Sequence, residues 1–370
     1  MFENVLKNFG FGCMRLPMNN GEVNLEEFQK MVDYFLENGF NYFDTATGYL
    51  NGLSELALKS CLTSKYPRDE YFFVNKLSPS FFETHDDLEP YFNKQLESCG
   101  VEYFDLYLMH AQNANLFKKY QAARAYEFAL EKKALGKVKH FGISFHDTPE
   151  VLDNILTSYP EIEVVQLQFN YLDYENPNVQ SKRCYEVCVK HNKKVIVMEP
   201  VKGGTLVNLT KAAQDILTSH TTSSNAGFAI RFAASFENVK MVLSGMSNFE
   251  QVVDNINHMK EFKPLSQEEF QAAWDVVEIL KKEKRIACTE CRYCVDGCPK
   301  KILIPDLFKC YNNKNLYNDW NSSYYYNKVL TVDNGLASSC IKCGKCEQSC
   351  PQHLPIRELL ESVAEKFEKK

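Results

Sequence analysis

From Phe9 onward, short apolar runs alternate with stretches in which apolar residues recur every three or four positions. The runs read as strands and the stretches as amphipathic helices, because side chains repeat every two residues on a strand and about every 3.6 on a helix. Strands are expected near Gly12–Leu16, Phe40–Asp44, Tyr71–Lys76, Phe104–Met109, Val138–Ser144, Val164–Gln168, Val195–Glu199 and Lys240–Ser244. Helices are signalled by Asn24 three residues before Glu27, by Thr148-Pro149-Glu150, and by amphipathic patterns over 54–64, 86–98, 116–135, 178–191 and 248–259. The runs FDLYLM and VIVM are apolar throughout, as parallel strands covered on both faces are. Eight such units over roughly 260 residues predict an α/β fold, a (β/α)8 TIM barrel. An open doubly wound sheet has the same alternation, but no G-x-G-x-x-G follows the first strand.

The barrel is expected over 1–262 and a connecting helix within 263–287. That helix starts at Ser266 with a capping box to Glu269 and runs through Trp274 to about Lys284. A smaller domain is expected over 288–370, where the composition changes: nine of the fourteen cysteines fall between 288 and 350, eight of them in two repeated motifs. At 370 residues and 45% apolar content, the chain has ample material for a core. Its net charge of −6 argues against nucleic-acid binding. No apolar run reaches the ~18 residues that span a bilayer, so no membrane is expected. The opening MFENVLKNFG has no export signal, which leads us to expect a cytoplasmic protein whose cysteines serve metal rather than disulfides.

Cys288, Cys291, Cys294 and Cys298, the last followed by Pro299, form C-x2-C-x2-C-x3-C-P. Cys340, Cys343, Cys346 and Cys350, followed by Pro351, repeat it. In such paired runs three thiolates hold three corners of a [4Fe-4S] cubane and the fourth crosses to the other cluster. One cluster is thus expected on Cys288, Cys291, Cys294 and Cys350, the other on Cys340, Cys343, Cys346 and Cys298. Tetrahedral zinc is the alternative, but its sites usually use two C-x2-C pairs and no third cysteine at the same spacing. The 41 residues between the motifs exceed a minimal βαβ ferredoxin. Residues 287 to about 362 instead resemble the mainly α-helical ferredoxin-like module of fumarate reductase iron-sulfur subunits. The other six cysteines lack ligand spacing, and Cys184 and Cys188 read as packing residues.

A barrel active site lies at the C-terminal ends of its strands. The polar residues there are Asp44 with Tyr49 beyond it, Lys76, His110, Ser144, Gln168, Glu199 and Ser244. Each alone has a bland reading as a cap, a solvated strand end, a loop aromatic or a core imidazole. Together they suit proton transfer: Asp44 would hold Lys76 charged, Lys76 would stabilise the phenolate and lower the Tyr49 pKa from its usual ~10, and His110 would orient a carbonyl oxygen.

The segments DTATGY (44–49), Lys76, DLYLMH (105–110), VKHFGIS (138–144), QLQFN (166–170) and LSGMSNFEQVVDN (243–255) resemble aldo-keto reductases, over roughly residues 8–262. With the cysteine-rich tail, the chain resembles their iron-sulfur subgroup. The resemblance implies Tyr49 as acid/base, Asp44 and Lys76 as its tuning pair and His110 as the substrate-positioning group. It also implies NAD(P)H, with Ser144 and Gln168 at the carboxamide and Gln251, Asp254 and Asn255 near the adenine. Three departures stand out: Phe145 where relatives carry Asn, Met198 where an aromatic stacks on the nicotinamide, and Gly245 and Gln251 where cations meet a 2′-phosphate.

The expected function is an oxidoreductase that reduces a small-molecule carbonyl in the barrel, coupled to electron transfer through two clusters. A hydride carries two electrons and a cubane passes one, so a flavin, suggested by Met198 and Phe145, would reconcile them. A redox partner of ferredoxin or flavodoxin type is expected. The alternatives are an electron carrier with the barrel as docking scaffold, and an NAD(P)H-dependent reductase with structural clusters.

Overall fold

The computed structural model describes residue 2 and residues 5–283, 285–317, 319 and 321–368. Eight parallel strands close into a barrel: β1 (Phe9–Gly12), β2 (Tyr42–Asp44), β3 (Phe72–Leu77), β4 (Phe104–Gln112), β5 (Val138–Phe145), β6 (Val164–Gln168), β7 (Lys194–Met198) and β8 (Val239–Gly245). Closure is made where Gly10 pairs with Tyr42 on one side and Leu243 on the other. The helices that follow are α1 (Leu25–Glu37), α2 (Leu53–Leu58), α3 (Leu88–Cys99), α4 (Ala114–Ala122), α5 (Ala125–Ala134), α6 (Pro149–Ser158), α7 (Ser181–Lys190), α8 (Lys211–His220), α9 (Asn225–Ala234), α10 (Phe249–Met259) and α11 (Gln267–Lys282). No helix among the described residues is long and apolar enough to cross a membrane.

The first strand lies earlier than expected, at Phe9–Gly12 rather than Gly12–Leu16. Phe9 and Phe11 face the helices, with ring centroids 6.0 and 5.5 Å from that of Phe35. Gly10 faces inward, where a Cβ would come within 2.7 Å of both Leu243 and Tyr42. FGFG is therefore an alternating strand whose inward face is bare. Asn24 caps α1 as expected, its side-chain oxygen accepting the Glu27 N–H at 3.1 Å. The single helix expected over 116–135 is two, α4 and α5, broken where Arg124 is left-handed with φ 53°. The helix expected to reach Lys284 is seen to Lys282, and Lys284 lies outside the described residues.

Alternation also explains what the barrel interior presents. Toward the N-terminal end, Tyr42, Phe72, Val74, Leu106, Leu108, Val164, Ile196, Met241 and Leu243 form one apolar cluster, with Phe2 buried against it. Burying a phenylalanine contributes about 1.5–3 kcal/mol. One inward step toward the C-terminal end, the same strand faces carry Asp44, Lys76, His110 and Gln166.

The chain divides into two compact units. One holds residues up to 176, 180–200 and 226–266; the other holds 177–179, 201–225 and 267 onward. The stretch 201–225, expected inside the barrel domain, thus groups with the C-terminal residues, and α8 within it packs on α11.

The second unit continues with α12 (Ile304–Tyr317), α13 (Asn321–Tyr325), α14 (Lys345–Gln348) and α15 (Ile356–Phe367), and has no strand among its described residues. Its core is built from Ile286, Ile302, Ile304, Leu307, Phe308, Tyr326, Ile356, Leu360 and Val363. The Tyr326 ring stacks on Phe367 at 4.6 Å. The two cysteine motifs are followed by the same backbone course. Lys301 and His353, each three residues past the last cysteine, are left-handed (both φ 51°) and donate their N–H to Cys298 and Cys350 respectively. A helix then starts six residues past that cysteine in both copies, at Ile304 and at Ile356.

Candidate active site and cysteine cavities

Asp44, Tyr49, Lys76 and His110 come together at the C-terminal end of the barrel. Lys76 is fully buried; its Nζ donates to Asp44 Oδ1 at 2.6 Å and to the Thr45 carbonyl at 2.8 Å. The other carboxylate oxygen accepts Gln166 Nε2 at 3.1 Å. The Lys76 ammonium lies 4.7 Å from the Tyr49 ring centroid, and the His110 ring meets that of Tyr49 edge-on at 6.0 Å. His110 Nδ1 is 2.7 Å from Ser78 Oγ. The strand-6 residue in direct contact with the pair is Gln166, which the sequence reading passed over for Gln168 because it took only the last residue of each strand; Gln166 shares the inward face two positions earlier.

Tyr49 is half-buried and opens a short turn in which Leu50, Asn51 and Gly52 are all left-handed (φ 52°, 56° and 90°). Such backbone costs of order 1 kcal/mol per non-glycine residue and persists only where its surroundings hold it. They do so here through a polar network. Thr45 Oγ1 and Ser54 Oγ are 2.7 Å apart, and Ser54 donates to the Cys13 carbonyl at 2.8 Å. Thr47 and Asn75 donate to the buried Glu55 at 2.9 and 2.8 Å, while Tyr91 donates to Thr47 at 2.9 Å. Burial raises the Glu55 carboxyl above its ordinary value against the pull of these hydrogen bonds.

The electrostatics correct one expectation. The Tyr49 phenol is raised well above 10, not lowered: burial acts first, then the Asp44 carboxylate, with Cys13 and Glu199 adding. Lys76 does not reverse this because its donors are turned to Asp44 and Thr45 and it meets the ring rather than the hydroxyl. Burial pulls Lys76 below its usual value while Asp44 counters. Burial, followed by Lys76 and His146, holds His110 well below 6.5. The phenol is thus protonated and the imidazole neutral near pH 7.

Ser144 lies beside His110, its Oγ accepting the Ala111 N–H at 2.8 Å. Gln168 Nε2 donates to the buried Asp173 at 2.7 Å; Asn170 donates to the same oxygen at 2.7 Å and to the carbonyl of left-handed Glu199 at 2.9 Å. At the end of β8, Ser244 Oγ accepts Asn255 Nδ2 at 3.1 Å. Gln251 accepts the Ser247 N–H at 2.7 Å, and Asn248 caps α10. Asp254 Oδ1 is 3.6 Å from His258 Nε2 one turn on. These residues form two groups within the barrel unit, one spanning β6 and β7 and one at the start of α10.

In the second unit the cysteines bound two cavities. One is lined by Cys288, Cys291, Cys294 and Cys350; the other by Cys298, Cys340, Cys343 and Cys346. Each takes three cysteines from one motif and one from the other. Among the described residues, no three His, Cys, Asp or Glu side chains close to the spacing of a single metal ion. Both motifs hold the same strained backbone: Glu290 and Arg292, and correspondingly Lys342 and Gly344, are left-handed two and four residues past the first cysteine. That turn aims the N–H of Glu290 at Cys288 Sγ and of Lys342 at Cys340 Sγ, both at 3.4 Å. Cavities walled by four sulfurs, with amides aimed at sulfur, fit a cubane. The other six cysteines are buried.

Residues 8–278 match the Aldo/keto reductase family, and residues 287–354 match the 4Fe-4S dicluster domain. An aldo-keto reductase of Mycobacterium avium (strain 104) is 26% identical over 243 residues, 65% of this chain and 79% of that protein. The NADH-specific methylglyoxal reductase of Escherichia coli (strain K12) is 26% identical over 224 residues, 54% of this chain and 65% of its own. Among solved structures, the holo form of an aldo-keto reductase from Bacillus halodurans aligns with a TM-score of 0.57 at 22% identity, covering 73% of this chain and 91% of that one. An aldo-keto reductase from Klebsiella pneumoniae in complex with NADPH aligns at 0.58 and 18% identity, covering 75% and 92%. The match to the family over most of the barrel, with a dicluster match immediately after it, makes this chain an oxidoreductase of the aldo/keto reductase family that carries a C-terminal 4Fe-4S dicluster domain.

Proposed function

We propose that the barrel reduces a small-molecule carbonyl to an alcohol and that its chemistry is coupled to one-electron transfer through two clusters in the second unit. The observation that carries the barrel reading is the Asp44–Lys76–Tyr49–His110 group, a buried ion pair beneath a protonated phenol and a neutral imidazole. A nicotinamide nucleotide, when bound, supplies the hydride to the carbonyl carbon. Tyr49 donates the proton to the carbonyl oxygen, and His110, held by Ser78, orients that oxygen. Asp44 fixes Lys76 under the Tyr49 ring, where its positive charge favours the phenolate left behind. The hydroxyl and amides of Ser144, Gln166 and Gln168 are the donor and acceptor chemistry that a carboxamide needs, and the capped start of α10, with Gln251 and Asn255, suits the nucleotide's anionic and adenine portions. The NADPH complex of the Klebsiella relative supports this reading.

Cys288, Cys291, Cys294 and Cys350 would hold one [4Fe-4S] cluster, and Cys298, Cys340, Cys343 and Cys346 the other; each supplies one-electron chemistry. Coupling to a two-electron hydride needs a group that separates the pair, such as a flavin, and a one-electron partner of ferredoxin or flavodoxin type.

Anaerobic purification tests both halves. Iron and sulfide near eight per chain, a reduced-cluster EPR signal and NAD(P)H-dependent carbonyl reduction abolished in Tyr49→Phe support the reading. Colourless protein, or turnover unaffected by Tyr49→Phe, overturns the corresponding half. Flavin assayed in the same sample decides whether it is the electron-splitting group. Retained turnover after Cys291→Ala would favour structural clusters.

A further inference from the structure

We propose that Glu55 is a positioning residue for the reaction in the barrel: one buried carboxylate oxygen ties the turn that carries Tyr49 to the strand that carries Lys76, and so acts on turnover through Tyr49. The proposal rests on the reading of Tyr49 as the proton donor. Glu55 lies in α2 and is 2% exposed. Its Oε1 accepts Thr47 Oγ1 at 2.9 Å and Asn75 Nδ2 at 2.8 Å. Thr47 stands two residues before Tyr49, and Asn75 one before Lys76. The segments that bear the acid and the cation therefore meet on a single atom that belongs to neither.

The surrounding hydrogen bonds make that atom hard to replace. Thr47 donates its one hydrogen to Glu55 and accepts from Tyr91 Oη and Gln95 Nε2, both at 2.9 Å. Gln95 Nε2 also donates to the Lys76 carbonyl at 2.9 Å, and Tyr107 fixes the amide by donating to Gln95 Oε1 at 2.6 Å. The Asn75 amide oxygen accepts the Lys76 N–H at 2.8 Å. Without the Glu55 oxygen, Thr47 and Asn75 each lose a buried acceptor, and buried donors reorient to find another. The left-handed residues Leu50, Asn51 and Gly52 then lose the tether that precedes them. Burial, Asp44, Cys13 and Glu199 are what shift the Tyr49 phenol. Glu55 therefore acts on Tyr49 by position and not by charge. What the tether sets is the 4.7 Å approach of Lys76 to the Tyr49 ring. A misplacement of about 1 Å in such a site costs about 10²-fold in rate.

The test is a double-mutant cycle in the full chain: wild type, Glu55→Met, Tyr49→Phe and the pair together, with Glu55→Gln alongside. NAD(P)H-dependent carbonyl reduction gives kcat and KM, and thermal unfolding is followed in parallel. Glu55→Met should lower kcat by about 10²-fold and leave the nucleotide KM where it is. Glu55→Gln, whose amide oxygen can accept both donors, should keep most of kcat. On the residual rate of Tyr49→Phe, Glu55→Met should cost little more, because the group it positions is already gone. If Glu55→Met does not fold, Thr47→Val, which releases the turn alone, is taken through the same cycle. An equal fold-loss on both backgrounds overturns the proposal, since a scaffold residue lowers both alike. So does unchanged kcat in a folded variant, a loss confined to KM, or a Glu55→Gln as impaired as Glu55→Met. Turnover unaffected by Tyr49→Phe overturns the donor reading, and the role of Glu55 with it.

Discussion

Lys76 meets Tyr49 through its ring face, 4.7 Å from the centroid, while its hydrogen bonds are spent on Asp44 and the Thr45 carbonyl. The cation therefore stands ready to stabilise a phenolate as it forms without depressing the resting phenol, which burial keeps protonated.

Replacing Tyr49 with Phe removes the proposed proton donor and leaves the ring over Lys76. General acid catalysis contributes typically about 10²–10⁴-fold, so kcat for carbonyl reduction should fall by that order. Nucleotide affinity, measured by titration of protein fluorescence, and iron content should not change.

The Lys76–Asp44 pair is buried, at 0% and 4% side-chain exposure. Lys76→Met strands a carboxylate with Gln166 as its remaining side-chain donor, and stranding a buried charge costs about 3–5 kcal/mol. Denaturant unfolding followed by circular dichroism should show that loss. Adding Asp44→Asn should recover part of it, since the uncompensated charge is gone.

The pH profile follows from two displaced groups. His110, lowered well below 6.5, stays neutral as pH rises from neutrality, and Tyr49, raised well above 10, stays protonated. Carbonyl reduction under saturating nucleotide should therefore stay level between about pH 7 and pH 9. A midpoint within that range would contradict the assignment of Tyr49 as the donor.

Acid stability of the barrel should show the signature of Glu163. Burial acts to raise this carboxyl, but Lys133, His140 and the Phe141 N–H, at 2.6, 2.8 and 2.9 Å, outweigh it and hold the value at about 2, against an ordinary 4.5. A depressed acid stabilises the fold fully above its unfolded value and ceases to do so as pH falls through the folded one. Melting temperature should decline from about pH 4.5 toward pH 2, and Glu163→Gln should flatten that decline while lowering stability at neutral pH.

Much of this is legible along the chain because the physics is local. A parallel strand covered on both faces must be apolar, so FDLYLM and VIVM declare themselves, and eight βα units with no G-x-G-x-x-G after the first strand favour a closed barrel over an open sheet. The spacing of the cysteine motifs likewise anticipates which cysteines share a cavity. What was hidden depends on tertiary contacts. Phe9–Gly12 looks like a turn until Tyr42 and Leu243 are seen to fill the space above Gly10. The Tyr49 shift depends first on how deeply the phenol is buried and then on its closeness to Asp44, and no spacing rule carries either. Lys202 reads as a loop residue after a strand, and only folding brings it to Gln352.

The exchange of Cys298 and Cys350 between the two cavities has a consequence for assembly. Neither motif encloses a complete cage by itself, so a chain in which one has not yet folded offers three sulfurs to one proposed inorganic centre and one to the other, and four to neither. Loading should consequently be concerted, with populations holding both inorganic cores or neither, and damage to either loop should release iron from the pair.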